Sequence, residues 1–303
     1  DSELVTTHPE WFHGKGDILD WNDPVQVETH DVHGLPDLDQ SHPEVRDWLM
    51  KAGLHWVSKV RPQGFRIDAL RHVPTSFWRD YGEQMKAAGG EGFELLGEHF
   101  EGAVQPLASA WVEGGFTGMF DFPLYYAMTD VFCRGAHPGK IAAILGADRL
   151  YPDAGKLVTF IDNHDLPRAV SACSGDTEAV EQMLRLVFAV RGTPAITWGT
   201  ELPLEGAEEP ANRASMDWQR DGELTELIRE LAMATRPEPG GKVLSLDETG
   251  FVYLRPDGAE LELREGKITL RGPSVDAPGG VRSSTGQLGG VRFEEPQPPR
   301  QKR

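Results

Sequence analysis

Three short apolar segments of this chain each lead into an acidic side chain that could do chemistry. They are residues 64–68, 95–98 and 160–165, which end in Asp68, Glu98 and Asp165. The first two acids are 30 residues apart, enough for one helix and one strand, and the next 67 residues have room for two such units. Parallel strands joined by helices present their carboxyl ends on one face of a barrel. Carboxyl groups that converge there are the equipment of glycosidic-bond hydrolysis.

The surroundings of the first acid favour an ionised carboxylate. Arg66 precedes Asp68 by two residues, and side chains two apart on a strand share one face. The guanidinium would therefore keep Asp68 ionised, as a nucleophile requires. The alternative is a structural ion pair at the end of the strand.

The second acid is suited to the opposite role. Glu98 ends an apolar strand and follows Gly97, whose small size leaves room for a substrate or a second carboxylate. Burial among apolar neighbours raises the pKa of a glutamate, which favours a general acid that holds its proton near neutral pH.

The third acid lies in a more polar segment. His164 and Asp165 could bind sugar hydroxyls and a positive charge that develops on the ring. A metal site with Asp162 as a further ligand is the alternative, although consecutive residues on a strand diverge. His72, four residues after Asp68, could line the same pocket as that acid.

Strands and helices alternate through the middle of the chain. This alternation predicts an α/β fold with a parallel sheet covered by helices. The predicted strands are 65–69, 93–97, 117–121, 157–162 and 195–198, and the predicted helices are 75–88, 104–112, 124–132, 140–145, 177–190 and 224–235. Residues 237–272 read as a small antiparallel β domain with strands at 251–254 and 261–263, and the Gly-, Pro- and Ser-rich residues 273–303 as a poorly ordered tail.

The composition limits the classes of partner. The 303 residues carry 30 Lys and Arg against 48 Asp and Glu, a net charge of −18. This balance argues against a nucleic-acid partner, because phosphate binding needs clustered cations. It fits a neutral ligand such as a sugar, and it fits equally well a surface charge that serves only solubility. Two cysteines exclude a framework of several disulfides, and no apolar run is long enough to cross a bilayer. No signal peptide is visible, which slightly favours the cytoplasm, but the chain begins with Asp1 and its natural start could have been removed.

Five segments together resemble the signature segments of the α-amylase family of glycoside hydrolases, in the right order. They are 35–39 (LPDLD), 64–72 (GFRIDALRH), 97–98 (GE), 160–165 (FIDNHD) and 199–201 (GTE), the last followed by Asn212 and Arg213. The residues around 160–168 are similar to the amylase, maltogenic amylase and cyclomaltodextrinase branch. The resemblance implies a (β/α)8 TIM barrel that acts on α-1,4-linked glucans in starch, maltooligosaccharides or cyclodextrins.

The resemblance also implies roles for individual residues in a retaining mechanism. Asp68 would be the nucleophile, Glu98 the general acid/base and Asp165 the third carboxylate, and Arg66 would orient the nucleophile. The implied substrate contacts are His72, His164 and Arg71, the last where many members have Lys. Trp11, Phe12 and Trp21 could stack on sugar rings or pack in the core. The chemistry needs no cofactor, and a structural calcium bound by Asp20, Asn22, Asp23 and Asp37 is left open.

The chain departs from the family pattern in one respect. The family barrel has eight strands, and the five found here correspond to the fourth to eighth, followed by the small β domain. Residues 1–40 then resemble the loop-rich excursion after the third strand, and 41–236 the remaining barrel. A sheet with open edges predicts aggregation and little hydrolysis by this chain alone. Two possible partners would complete the barrel: a complementing N-terminal fragment or, in a homo-oligomer, a second copy of the chain. Two alternative functions are an α-glucan transglycosylase and an inactive carbohydrate-binding remnant.

Overall fold

A computed structural model describes residues 3–220, 222–234 and 240–272. The described residues form two compact units. The first contains the residues up to Ala127 together with 147–163 and 192–197, and the second contains 128–146, 164–191 and the described residues from Trp198 onward. The predicted tail, 273–303, lies outside the described residues, and the predicted domain boundaries remain predictions.

The first unit contains a five-stranded parallel sheet. Its strands are β1 (Gly64–Ile67), β2 (Glu94–Gly97), β3 (Gly118–Phe120), β4 (Leu157–Thr159) and β5 (Thr193–Pro194). They pair in chain order, from β1 to β5. The register sets Ile67 beside Gly97 and Gly97 beside Met119. The carboxyl ends of β1 and β2 therefore lie side by side, which positions the residues that follow them.

Ten α-helices accompany the strands in the described part of the chain. They are α1 (Glu3–Thr7), α2 (Pro24–Thr29), α3 (Pro43–Val60), α4 (Thr75–Gly89), α5 (Val104–Gly114), α6 (Phe122–Met128), α7 (Gly139–Gly146), α8 (Ala169–Ala172), α9 (Thr177–Ala189) and α10 (Thr225–Ala234). A π-helical turn at Thr129–Cys133 follows α6, where the sequence predicts one continuous helix. The remaining predicted helices agree with the structure to within two residues at each end.

The fifth predicted strand is the one whose position is wrong. The sequence predicts 195–198, but ladder pairing with β4 ends at Pro194. Ala195 N–H still donates to Thr159 O at 2.7 Å, and the Thr197 hydroxyl donates to Asp162 O at 2.8 Å. Residues 195–198 are therefore joined to β4 and the residues after it by individual hydrogen bonds rather than by strand pairing.

The core of the first unit lies between its sheet and the helices α4 and α5. Ile67, Leu95 and Leu157 are buried on the strands, and Met85 and Trp111 are buried on the two helices. Burial of apolar area at about 25 cal/mol per Å² is the main term that holds these layers together. This packing fixes the strand ends on which the candidate site depends.

The second unit contains a four-stranded antiparallel sheet, which includes both of the strands that the sequence predicts and two more. Its strands are β6 (Lys242–Leu246), β7 (Gly250–Leu254), β8 (Glu260–Arg264) and β9 (Lys267–Arg271), paired in that order. Phe251, Tyr253, Leu261 and Leu263 form its buried face. Cys133 and Cys173 form a disulfide in this unit, a pairing that the sequence does not reveal.

Across the residues that the structure describes, we find no helix with the length and apolar character needed to cross a membrane.

Candidate active site

Arg66 joins the two acids that follow the first two strands. Its Nη1 lies 2.6 Å from Asp68 Oδ1, and its Nη2 pairs with Glu98 Oε1. The guanidinium also lies 5.8 Å from the ring centroid of Phe120, at the end of β3. The predicted ion pair of Arg66 and Asp68 is therefore present, and it extends to Glu98.

The two carboxyl groups differ in their access to water. The Glu98 side chain is 4% exposed, whereas that of Asp68 is 70% exposed. Burial raises the pKa of Glu98, and the charge of Arg66 opposes this effect. Protonated Glu98 can donate a hydrogen bond to the Asp68 carboxylate, and this bond and the negative charge of Asp68 both raise the pKa of Glu98 further. The outcome is a raised pKa for Glu98, which is the direction that a proton-holding general acid requires.

The backbone after β1 turns sharply toward Glu98. Ala69 adopts a left-handed conformation with φ of 45°, and its N–H points to Glu98 Oε2 at 3.5 Å. Leu70 N–H donates to Glu98 O at 3.1 Å. A left-handed alanine costs about 1 kcal/mol or more, so the surrounding contacts must hold this turn in place.

Gly97 has a different role from the one that the sequence suggests. A Cβ atom at this position would lie 2.6 Å from Met119 Sδ and 2.7 Å from Leu70 Cδ2. The glycine therefore leaves room for apolar core side chains rather than for a substrate. Packing of these neighbours brings β2 close to β3 and sets the position from which Glu98 begins.

Arg71 and His72 both have partners within the first unit. Arg71 Nη1 donates to Phe100 O at 2.9 Å and so fixes the loop after Glu98. His72 Nδ1 lies 2.9 Å from Val27 O, an acceptor, so this nitrogen carries the proton. Burial lowers the pKa of His72. Their predicted contacts with substrate remain predictions.

The two tryptophans proposed as sugar platforms differ. Trp11 is buried, its Nε1 donates to Glu44 Oε2 at 3.2 Å, and its ring stacks on His8. The packing alternative thus describes Trp11. Trp21 is exposed and meets His72 edge-on at 5.9 Å between ring centroids, so stacking on a sugar remains a prediction for Trp21.

Asp165 lies in the second unit, within a network of polar side chains. Its carboxylate contacts His164 Nε2 at 3.1 Å and also pairs with Arg213. Asn212, which is 3% exposed, donates from Nδ2 to His164 O at 3.0 Å and to Leu166 O at 3.2 Å. The sequence indicates a turn at 212–213 but gives no role for either side chain.

Neither of the metal alternatives matches a cluster of ligands. Over residues 3–220, 222–234 and 240–272, no group of three or more His, Cys, Asp or Glu side chains is arranged to hold a metal ion. Of the residues considered for calcium, Asp20 accepts from Asn22, Asp23 caps α2, and Asp37 bonds to His13. These residues make separate local contacts, and calcium remains an untested expectation.

One titratable cluster in the first unit was not predicted. His13 Nδ1 lies 2.6 Å from Asp37 Oδ2, and its Nε2 lies 3.5 Å from Asp39 Oδ1. Burial raises the pKa of Asp37 to about 6, against the lowering effect of His13 and with further raising by Asp31 and Asp39. The separation of 24 residues between His13 and Asp37 leaves no local pattern that could reveal this pair.

Comparisons with known proteins agree with the resemblance. A family model for the α-amylase catalytic domain matches residues 20–233, well over half of the chain. A β/α-amylase of Paenibacillus polymyxa is 31% identical over 246 residues, which are 76% of this chain and 20% of that protein. A cyclomaltodextrinase of a Bacillus species is 30% identical over 220 residues, which are 70% of this chain and 38% of that protein.

Solved structures show the same fold. The crystal structure of an α-amylase from Geobacillus thermoleovorans, complexed with acarbose, aligns with a TM-score of 0.76 at 27% identity. The alignment covers 89% of this chain and 62% of that chain. This chain thus spans a fifth to two fifths of the length of the two curated relatives described above. From the extent of the family match and the fold, the chain belongs to the α-amylase family of glycoside hydrolases.

Proposed function

We propose that this chain is the catalytic portion of a retaining hydrolase that cleaves α-1,4-glucosidic bonds of starch, maltooligosaccharides or cyclodextrins. The observation that carries the proposal is the Arg66 bridge between an exposed Asp68 and a buried Glu98 whose pKa is raised. The raised pKa supports Glu98 as the proton donor, and the exposed carboxyl group beside Arg66 supports Asp68 as the nucleophile.

The proposed reaction has two steps. Glu98 donates its proton to the glycosidic oxygen as Asp68 attacks the anomeric carbon; the bond to the leaving sugar breaks and a glycosyl-enzyme ester forms. Glu98, now ionised, takes a proton from water, whose oxygen displaces Asp68. Arg66 would hold the Asp68 carboxylate in line for attack, and Asp165 would bind sugar hydroxyls in the distorted ring.

The proposed substrate class follows from the names of relatives. Among them are the cyclomaltodextrinase described above and a maltogenic α-amylase of Bacillus acidopullulyticus, of which the chain covers 43%. Maltooligosaccharides and cyclodextrins share the α-1,4-linked glucose unit, so we propose that unit as the element recognised.

We also propose that full activity needs a further segment against β1. Within the described residues β1 pairs with β2 alone, and β1 also lines a groove of about 570 Å³ that includes Arg66 and Asp68. Phe65, Ile67, Trp56 and Trp78 contribute apolar lining to this groove. A complementing N-terminal fragment or a second copy of the chain would cover it, and hydrolysis by the 303 residues alone is expected to be slow.

A covalent-trapping experiment tests the proposed function. An activated 5-fluoro α-maltosyl fluoride is incubated with the full chain, and intact-mass and peptide analysis locate any adduct. A single bond-forming event is enough for detection, so slow steady-state turnover does not obscure the result. We expect a maltosyl ester on Asp68 with loss of fluoride.

Two variants provide the controls. D68N should abolish the adduct, whereas D80N, at an exposed acid paired with Arg46, should leave it unchanged. Digestion of maltoheptaose in parallel separates hydrolysis from transfer, because transfer gives products longer than the substrate. A wild-type chain that forms neither adduct nor product, or an adduct that persists in D68N, would refute the proposal.

A further inference from the structure

The turn at residues 209–213 carries two side chains that both act on the segment around Asp165. Arg213 Nη2 pairs with Asp165 Oδ1 and also lies 2.6 Å from Glu209 Oε1. The guanidinium is therefore held by a second acid while it contacts Asp165. One cation shared between two carboxylates has less freedom to turn away from either one.

Asn212 acts on the backbone at the same place. Its amide nitrogen donates to the carbonyl oxygens of His164 and Leu166, the residues on either side of Asp165. The side chain is 3% exposed, so these bonds form away from water. Loss of a buried donor leaves two carbonyls without this partner, at about 1–3 kcal/mol for each unsatisfied group.

The turn itself is fixed by contacts with the helix that follows Asp165. Gly206 O accepts from Arg168 N–H at 2.8 Å, and Gly206 N–H donates to Ser171 Oγ at 2.9 Å. A Cβ atom on Gly206 would lie 2.4 Å from Asn212 N, so the backbone approaches closely here. The position of Asn212 relative to Asp165 is thus determined by a network rather than by a single bond.

An incidental surface ion pair is the simpler explanation for Arg213. Its side chain is 44% exposed, and exposed pairs contribute roughly 0–1 kcal/mol. That explanation does not account for Asn212, which is buried and bonds to both carbonyls that flank Asp165. Neighbouring residues of one turn thus act on the carboxylate and on the backbone of the same acid.

We propose that Asn212 and Arg213 are positioning residues for Asp165: Asn212 fixes the backbone from which Asp165 projects, and Arg213 fixes the direction of its carboxylate. The inference rests on the proposed function, in which Asp165 is the third carboxylate. A group that binds the distorted sugar must be oriented before the substrate arrives, because misplacement lowers the rate of the chemical step.

A double-mutant cycle in the full chain tests the Arg213 part. R213Q should lower kcat for maltoheptaose roughly tenfold, as loss of a charge-assisted hydrogen bond predicts, with little change in KM. The double variant R213Q/D165N should be no slower than D165N, because Arg213 acts through Asp165. R213K should recover part of the rate. R220Q is the matched control: Arg220 is 45% exposed, pairs with Glu223, and should leave kcat unchanged.

Losses that multiply in the double variant, or a wild-type kcat in R213Q, overturn the proposal. N212A should likewise lower kcat and should show the same lack of additivity with D165N; if N212A does not fold, the Arg213 cycle decides. A wild-type chain without turnover refutes the proposed function separately. In that case the unfolding of the same variants is measured in urea. A coupling between Arg213 and Asp165 of roughly threefold in the unfolding equilibrium constant supports the contact, and strictly additive effects of the two substitutions overturn it.

Discussion

At the scale of single residues, Arg66 connects two carboxyl groups that differ in their exposure to water. Glu98 is buried and its pKa is raised, while Asp68 lies in water beside the same guanidinium. Removal of the cation would affect the two acids differently. Asp68 would lose an orienting partner. Glu98 would lose the positive charge that counteracts the effect of burial on its pKa.

We therefore predict that R66Q raises the pKa of Glu98 further. The guanidinium favours the ionised form of Glu98, so its removal favours the protonated form. The measurement is a ¹³C NMR titration of labelled glutamate carboxyls, with the Glu98 signal identified by its absence from E98Q. R79Q, which alters an exposed arginine beside Asp80, should leave that signal unmoved. A downward movement in R66Q would contradict the assigned role of Arg66.

A second prediction concerns Asp37 and the pH dependence of stability. Its pKa is raised by burial to about 6, so the folded state holds this proton more tightly than the unfolded state. The associated stability is present below the ordinary aspartate pKa of about 4 and is lost as the pH rises through 6. In the wild-type chain this group should lower the free energy of unfolding by about 2 kcal/mol between pH 4 and pH 6, and in D37N this decrease should be absent.

Urea unfolding of wild type and D37N across that range provides the measurement. The neighbours His13, Asp31 and Asp39 are present in both chains, so the difference reports on the Asp37 carboxyl group together with its contact to His13. D39N should act in the opposite direction: burial would raise the pKa of Asp39, but bonds from Ser41 outweigh it and lower the pKa. Parallel pH curves for wild type and D37N would show that Asp37 titrates normally.

At the scale of elements, the close approach of β2 and β3 determines where Glu98 starts. We predict that G97A destabilises the protein by about 1–3 kcal/mol, because the added methyl group meets the buried Met119 and Leu70 side chains. Urea unfolding measures the loss. G146A is the matched control, since a Cβ there has no atom within 4 Å, and it should change stability by less than about 0.5 kcal/mol. Equal stability of G97A and wild type would show that the neighbours move aside freely.

The strands and helices show which features of the fold can be predicted from the sequence and which cannot. Four parallel strands and the helices between them follow from apolar runs and periodicity, because each signal is local. Gly97 suggests room for a substrate when its own segment is considered alone, because its packing partners Met119 and Leu70 come from other segments. The sequence predicts neither β6 nor β9, and in the structure Leu244 and Leu246 of β6 are exposed, so β6 does not have an alternating buried face. For the candidate site, the Arg66–Asp68 pair was predictable from strand geometry, but the Asn212 and Arg213 contacts join segments 46 or more residues apart.

At the scale of the whole molecule, the parallel sheet of the described residues has two edge strands, β1 and β5, and we propose the β1 edge for a further partner. The described residues provide five strands in chain order, and relatives with this fold are longer. A groove lined by α3, α4 and β1 contains apolar side chains together with Arg66 and Asp68. Unpaired strand edges next to exposed apolar surface favour association with another chain.

We predict that the wild-type chain self-associates through this groove and that W56K weakens the association. Trp56 lines the groove and is 55% exposed, so a lysine places a charge where a second chain would have to remove water. Sedimentation velocity over a concentration series measures the effect. W218K is the control: Trp218 is 86% exposed and lies outside the groove, so a general gain in solubility from added charge would appear in both variants. Loss of association in W56K alone assigns it to the β1 groove, and equal behaviour of the two variants assigns it to overall charge, because both substitutions change the net charge of −18 by the same amount.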